Sequence, residues 1–92
     1  MPIANVSEFE AVIGQCVVKI DKAMYALGET PQLKEAKRDL VKLEEIARDA
    51  AKVKAMRPRV QQMAESLRSE LSRDEALHND MWDVLDFIDY CI

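Results

Sequence analysis

Two cysteines and a single histidine are the side chains of this sequence with the clearest potential for metal or nucleophilic chemistry. Cys16 and Cys91 stand far apart in the chain, and His78 is its only histidine. A structural zinc site needs four such ligands, so these three residues do not form one. Two cysteines are also too few for the disulfide framework of a small secreted domain. We expect buried, free thiols in a reducing compartment, although a disulfide between the two cysteines stays open.

Acidic residues at helical spacing are the second chemically promising feature. Glu44 and Glu45 lie on one predicted helix, and Asp80, Asp83 and Asp86 lie on another. Carboxylates arranged in this way can hold Mg²⁺ between helices. Over about a fifth of the chain they resemble the EExxE and ExxD motifs of all-α nucleoside triphosphate pyrophosphohydrolases of the MazG type. The resemblance implies an alternative function, a Mg²⁺-dependent hydrolase that uses Glu44, Glu45, Asp83 and Asp86.

The sequence departs from that pattern at Arg48, which stands where the first motif has its third acid. A cation at a ligand position opposes metal binding, because it repels the ion that the carboxylates would attract. Carboxylates on the solvent-facing side of helices account for the same residues without a metal. We therefore expect no catalytic residue, no metal and no cofactor, and a protein that is not an enzyme.

The last predicted helix, from about Asp74 to Tyr90, combines an ordinary core stripe with acids and aromatics. At about 100° per residue, seven apolar side chains share one face: Leu77, Met81, Val84, Leu85, Ile88, Cys91 and Ile92. The opposite half carries the aspartates at positions 80, 83, 86 and 89. Trp82 and Phe87 flank the stripe on opposite edges, and Tyr90 lies among the aspartates.

Aromatic side chains dominate the energetics of protein interfaces, so an acidic and aromatic helix face suggests a binding surface. We predict that a protein partner binds this helix, and the residues expected to contact it are Trp82, Asp83, Asp86, Phe87 and Tyr90. The alternative is that Trp82 and Phe87 only widen the core of a small bundle. A concrete form of the interaction hypothesis is an acidic inhibitor of a basic target, such as an immunity protein or an antitoxin.

A milder version of this pattern occurs on the first predicted helix. Its core ladder runs in steps of three and four through Val6, Phe9, Ile13, Cys16, Ile20, Ala23 and Leu27. On the other side, Ala11, Val18 and Tyr25 are spaced seven apart, and Gly14 beside them would permit another helix to approach closely. Val18 and Tyr25 are therefore our candidates for self-association, unless they are merely exposed.

Turn and cap signals divide the chain into helices. Ser7 with Glu10 predicts the first helix start, Gly28 its end, and Thr30 with Pro31 the next start. Ser72 with Glu75 predicts the start of the last helix. At Pro58 two courses stay open: helix 2 stops near Met56 and a third helix follows to Leu71, or one kinked helix runs from Pro31 to about Leu71. The second course predicts a dimer, because so long a rod cannot bury its stripe within one chain.

Composition bounds the fold class. The chain has 92 residues, 49% of them hydrophobic and 33% charged, with two glycines, three prolines and five aromatic residues. These values exclude two domains, a disordered tail and a β-rich fold. We predict a single domain over residues 1–92, an all-α antiparallel bundle of three or four helices, with a kink or break at Pro58 and assembly as a homodimer.

The distribution of charge indicates which kinds of partner the chain can bind. The net charge is −4, but residues 31–59 sum to +4 and residues 74–92 to −6. We expect the basic residues near Pro58 and the acidic last helix to face each other or to meet partners, and we expect no nucleic acid partner.

The N-terminus carries Glu8 and Glu10 where a signal peptide has cations, and no stretch reaches the ~20 apolar residues of a membrane span. The expectation is a soluble cytoplasmic protein that starts at Met1 and binds no membrane.

Overall fold

The first helix begins after Asn5 rather than at the predicted Ser7. In the computed structural model, which describes residues 3–92, α1 spans Val6–Leu27. The Asn5 side chain accepts a hydrogen bond from the backbone N–H of Glu8 at 2.9 Å, and the Glu8 carboxylate accepts one from the backbone N–H of Ala4 at 2.7 Å. Asn5 and Glu8 therefore provide the reciprocal caps that we had assigned to Ser7 and Glu10.

The turn from α1 to α2 follows the predicted signals. Gly28 has a φ of 97°, a conformation that glycine adopts without the steric cost of a Cβ. α2 spans Pro31–Glu45, and the Thr30 hydroxyl oxygen accepts a hydrogen bond from the backbone N–H of Leu33 at 3.2 Å. Pro31 stands in the first turn of the helix, where its missing N–H costs no hydrogen bond. The predicted stop at Gly28 and restart at Pro31 are confirmed.

α2 ends earlier than we predicted, and no helix runs from Pro31 to Leu71. A turn over residues 46–49 follows Glu45, then α3 spans Ala50–Ala55 and α4 spans Arg57–Glu70. The Asp49 side chain caps α3 by accepting a hydrogen bond from the backbone N–H of Lys52 at 3.2 Å. This capping role explains the interruption, because an aspartate side chain that bonds to the backbone favours the start of a helix over its interior.

The last helix, α5, spans Glu75–Cys91. Asp74 caps it by accepting a hydrogen bond from the backbone N–H of Leu77 at 2.9 Å. The predicted cap at Ser72 is therefore wrong by two residues, although the helix lies where the periodicity placed it. Leu71 ends α4 with its backbone N–H bonded to the carbonyl of Leu67 at 2.7 Å, so the connection to α5 is short.

Four long helices pack around one core, and all regular structure in residues 3–92 is helical. α1 and α4 each pack against both α2 and α5, which leaves α2 and α5 on a diagonal. The short α3 packs against α4 and α5. The largest fully buried side chains come from all four long helices and from α3: Phe9, Ile13, Ile20, Leu33, Leu40, Leu43, Val53, Leu67, Leu77, Met81, Leu85 and Ile88. Within the described part of the chain, no helix is long and apolar enough to cross a membrane.

Candidate functional site

The outer face of α5 exposes two of its three aromatic residues. The Trp82 side chain is 44% exposed and that of Tyr90 is 84% exposed. Asp86, between them in sequence, is also exposed. Trp82 borders an open groove of about 400 Å³ that is also lined by Arg68, His78 and Asn79. The structure therefore places Trp82, Asp86 and Tyr90 on the surface, where a partner could reach them.

Phe87 differs from the other predicted contact residues because it lies in the core. It is 4% exposed, and its ring stacks on that of Phe9 in α1, with 4.7 Å between the ring centroids. Such a pair stabilises the contact between helices beyond the burial of its area. The alternative that we kept open, an aromatic that widens the core, thus describes Phe87 but not Trp82. We remove Phe87 from the candidate contact residues.

Much of the acidity of α5 is paired within the fold. Asp80 accepts a hydrogen bond from the Lys19 ammonium on α1 at 3.0 Å. Asp89 accepts two hydrogen bonds from the Arg57 guanidinium at the start of α4, both 3.0 Å long. These bonds hold the pKa of the Asp89 carboxyl below its ordinary value and the pKa of Arg57 above its own. The expectation that the basic segment near Pro58 faces the acidic helix is confirmed for this pair.

The face of α1 that we proposed for self-association is also on the surface. Val18 is 52% exposed and Tyr25 is 95% exposed. A shallow groove of about 440 Å³ runs beside Val18 and is lined by Ala11, Gly14, Gln15, Lys19 and Lys22. Gly14 has a second neighbour, because a Cβ at this position would meet the Glu44 carboxylate of α2 at 3.0 Å. The lack of a side chain at Gly14 therefore leaves space for the Glu44 side chain, and the same glycine borders the groove.

The carboxylates that suggested a hydrolase are not brought together. Glu44 and Glu45 lie at the end of α2, whereas Asp80, Asp83 and Asp86 lie on α5, the helix diagonally opposite. Arg48 instead contacts Glu10 of α1, with 2.9 Å between the guanidinium Nε and the carboxylate Oε1. Among residues 3–92, no group of three or more histidine, cysteine, aspartate or glutamate side chains has the geometry to hold a metal ion.

The two cysteines have opposite environments. Cys16 is fully buried in the core, and Cys91 is exposed at the end of α5; both are free thiols. Burial raises the pKa of the Cys16 thiol to about 12, and the nearby charge of Asp80 adds to the rise. The prediction of two buried thiols is wrong for Cys91, because its position at the helix end leaves it outside the bundle.

The single histidine connects α4 to α5. The Nε2 atom of His78 lies 2.8 Å from the carbonyl oxygen of Leu71. A carbonyl oxygen only accepts hydrogen bonds, so Nε2 must carry the proton and donate it. Through this hydrogen bond, the His78 side chain on α5 holds the loop that connects α4 to α5.

Sequence reasoning missed one polar residue of interest, Asp39 on α2. It is the one charged residue among the described positions that is buried, and it faces α4. The signal was available, because Asp39 stands three residues after Ala36 and four before Leu43, at the edge of the apolar stripe of α2. Its neighbour on α4 is Arg59, one of the basic residues near Pro58.

Comparison with known proteins gives no family to which the chain can be assigned. No family model, no curated protein and no solved structure matches it significantly. The candidate surfaces are therefore the outer faces of α5 and α1 and the space around Asp39, each defined by the residues of this chain.

Proposed function

We propose that this chain is a non-enzymatic helical module for protein–protein interaction, an adaptor, regulator, chaperone or acidic inhibitor. The observation that carries the proposal is the exposure of Trp82 and Tyr90 on α5 and of Val18 and Tyr25 on α1. These side chains lie outside the buried core, which is formed by other residues from every helix. Large apolar side chains that remain outside a complete core are typical of binding surfaces.

The outer face of α5 is the surface proposed for the protein partner. Asp86 stands between Trp82 and Tyr90 in sequence and is exposed, and Asp83 on the same helix is half-buried. An exposed carboxylate one turn from an aromatic anchor favours a partner with a basic surface, since opposite charges steer association and select among partners. Internal pairing of Asp80 and Asp89 reduces the charge that this face presents, so Trp82 and Tyr90 are expected to provide most of the affinity.

The outer face of α1 is the surface proposed for self-association as a homodimer. Val18 and Tyr25 are two turns apart on one face, and the shallow groove beside Val18 can receive a side chain of a second copy. We place the protein in the cytoplasm, because the exposed thiol of Cys91 suits a reducing compartment. No membrane or nucleic acid partner belongs to the proposal.

Affinity capture with matched baits tests the partner surface. The baits are the wild type, Trp82→Ala, Tyr90→Ala and, as the control, Val41→Ala, which removes an exposed apolar side chain from α2. A partner captured by the wild type and by Val41→Ala should bind Trp82→Ala about 2 kcal/mol more weakly, roughly thirtyfold in affinity. Equal binding of that partner to all four baits would contradict the proposal.

Sedimentation equilibrium tests the self-association surface. At tens of micromolar, the wild type and Val41→Ala should sediment above the chain mass of 10.5 kDa. Val18→Asp and Tyr25→Asp should sediment at the chain mass, because a charge in an apolar interface is left without a partner. Far-UV circular dichroism confirms that each variant is helical. A wild type that sediments at the chain mass rules out the homodimer.

A further inference from the structure

A carboxylate to which the described part of the fold donates no hydrogen bond lies on the face between α2 and α4. The side chain of Asp39 is 9% exposed. Within residues 3–92, its polar contact is with Arg59, at 3.7 Å between the carboxylate Oδ1 and the guanidinium Nη1. That separation is too long for a hydrogen bond. The carboxylate oxygens of Asp39 keep access to solvent through the neighbouring cavity, so water supplies the donors that the fold does not, and a ligand with its own donors could replace that water.

Asp39 lies against a cavity of about 200 Å³ between the two helices. The walls combine carboxylates, two glutamine amides, a hydroxyl and apolar side chains, and they include Glu35, Ala36 and Asp39 of α2 and Arg59, Met63 and Ser66 of α4. Two carboxylates supply negative charge, and Ala36 with Met63 supplies an apolar surface suited to a short alkyl chain. The exposed Arg59 side chain reaches the cavity and provides its cation.

We propose that this cavity binds an alkyl ammonium or alkyl guanidinium group, with the Asp39 carboxylate as its counter-ion. A bound cation would donate the hydrogen bonds that Asp39 lacks, and the charge of Glu35 would add to the attraction. The volume corresponds to about six or seven waters at ~30 Å³ each, which admits a small aliphatic cation and excludes a drug-sized molecule. An anion would be repelled by both carboxylates, and a divalent metal would lack the third acidic ligand.

Arg59 is the intramolecular competitor in this proposal. Its guanidinium already occupies the position that a ligand cation would take, but at 3.7 Å it makes only a loose ion contact. A ligand must displace it, so removal of the Arg59 charge should strengthen binding. A merely structural ion pair predicts no such gain, because loss of either partner would then only weaken the fold.

Isothermal titration calorimetry with two probes tests whether the cavity binds a cation. It also distinguishes a free small molecule from an arginine side chain. The probes are agmatine, a free alkyl guanidinium with an ammonium group, and an acetylated and amidated Gly-Arg-Gly peptide, which presents an arginine side chain. At low ionic strength, Arg59→Gln should bind a probe at least fivefold more tightly than the wild type does. Asp39→Asn should bind it at least tenfold more weakly. The control Asp21→Asn removes the α1 partner of Lys37, outside the cavity, and should bind as the wild type does.

Each outcome bears on the proposal. Tighter binding of agmatine identifies a free cation as the ligand, and tighter binding of the peptide identifies an arginine of a protein partner. Glu35→Gln, at an exposed position on the rim, provides a second weakened variant should Asp39→Asn fail to fold. If neither probe binds Arg59→Gln, or if Glu35→Gln and Asp39→Asn bind as tightly as the wild type, the site does not exist. Because the cavity uses no residue of α5 or α1, its failure would not count against the partner surface and the dimer surface proposed on those helices.

Discussion

The guanidinium of Arg57 and the carboxylate of Asp89 form a two-point contact that fastens the start of α4 to the end of α5. Nε donates to Oδ1 and Nη2 donates to Oδ2, each at 3.0 Å. Arg57 also donates from Nη1 to the side-chain oxygen of Gln61, one turn further along α4. This parallel geometry distinguishes the pair from single-point surface ion pairs, which contribute little to stability. The residue next to Pro58 is thereby held against the acidic helix.

We expect Asp89→Asn to lower the midpoint of urea unfolding at pH 7, because the neutral amide cannot accept two charge-assisted hydrogen bonds. The pKa of Asp89 is lowered from its ordinary value of 3.8, so the folded state favours the ionised acid. Its contribution to stability is therefore present above about pH 4 and is lost as the pH falls further. The difference between wild type and variant should shrink at pH 3. Asp86→Asn is the control, and equal midpoints of wild type and Asp89→Asn at pH 7 would count against the contact.

The two thiols should differ sharply in reactivity. A thiol-specific chromogenic reagent at pH 8 should modify one cysteine per native chain, Cys91, and both in denaturant. Cys16 stays protonated at this pH because burial raises its pKa from 9.0 to about 12, and it is also out of reach of the reagent. Cys91→Ser should abolish the native reaction. Rapid labelling of Cys16 in the folded Cys91→Ser variant would show that the core opens there.

The same pKa shift gives a stability prediction. The unfolded chain releases the Cys16 proton near pH 9, whereas the folded chain holds it to about pH 12. The contribution of Cys16 is thus complete below pH 9 and is lost as the pH rises from there. Urea midpoints of the wild type should fall from pH 8.5 to pH 10.5 more steeply than those of Cys16→Ala. Parallel pH profiles of the two proteins would refute this linkage.

Substitutions at Trp82 and Phe87 should differ in their effect on stability, although both residues flank the core stripe in the sequence. We expect Phe87→Leu to lower the free energy of unfolding by about 1–2 kcal/mol, because it breaks the stack on Phe9 and leaves a small void. Trp82→Phe should change it by less than about 1 kcal/mol, since the remaining ring keeps contacts of the buried part and the side chain is half-exposed. Urea unfolding followed by circular dichroism measures both. A larger loss for Trp82→Phe than for Phe87→Leu would show that Trp82 belongs to the core.

Gly14→Ala tests how α1 meets α2. Alanine has a higher helix propensity than glycine by about 1 kcal/mol, which should stabilise the fold. The new Cβ would come within 3.0 Å of the Glu44 carboxylate, but Glu44 is exposed and its flexible end can move. We expect a net gain of up to about 1 kcal/mol in urea unfolding. The double variant Gly14→Ala with Glu44→Ala should gain no less, and a loss in both variants would show that the backbone itself is crowded.

Local signals were enough to predict the class of fold and most of the helices. The apolar stripe of α5, the glycine at Gly28 and the Thr30–Pro31 restart act through side chains and backbone within a few residues of each other. The outward positions of Val18, Tyr25 and Tyr90 also followed from helical periodicity alone. Where two neighbouring residues could each cap the start of a helix, the sequence-based prediction named the wrong one. It named Ser7 instead of Asn5 for α1, and Ser72 instead of Asp74 for α5.

The sequence by itself determined that the chain forms amphipathic helices and, except in the last turn of α1, where Met24 and not Leu27 is buried, which face of each is apolar, because helical period and capping are local properties. Only the tertiary structure decided which edge of α5 is covered, since the partner of Phe87 is Phe9, far away in the chain. The same holds for the pairing of Arg57 with Asp89 and for the burial of Asp39 between α2 and α4. Contacts between helices depend on the order in which they pack around the core, and neither composition nor periodicity encodes that order.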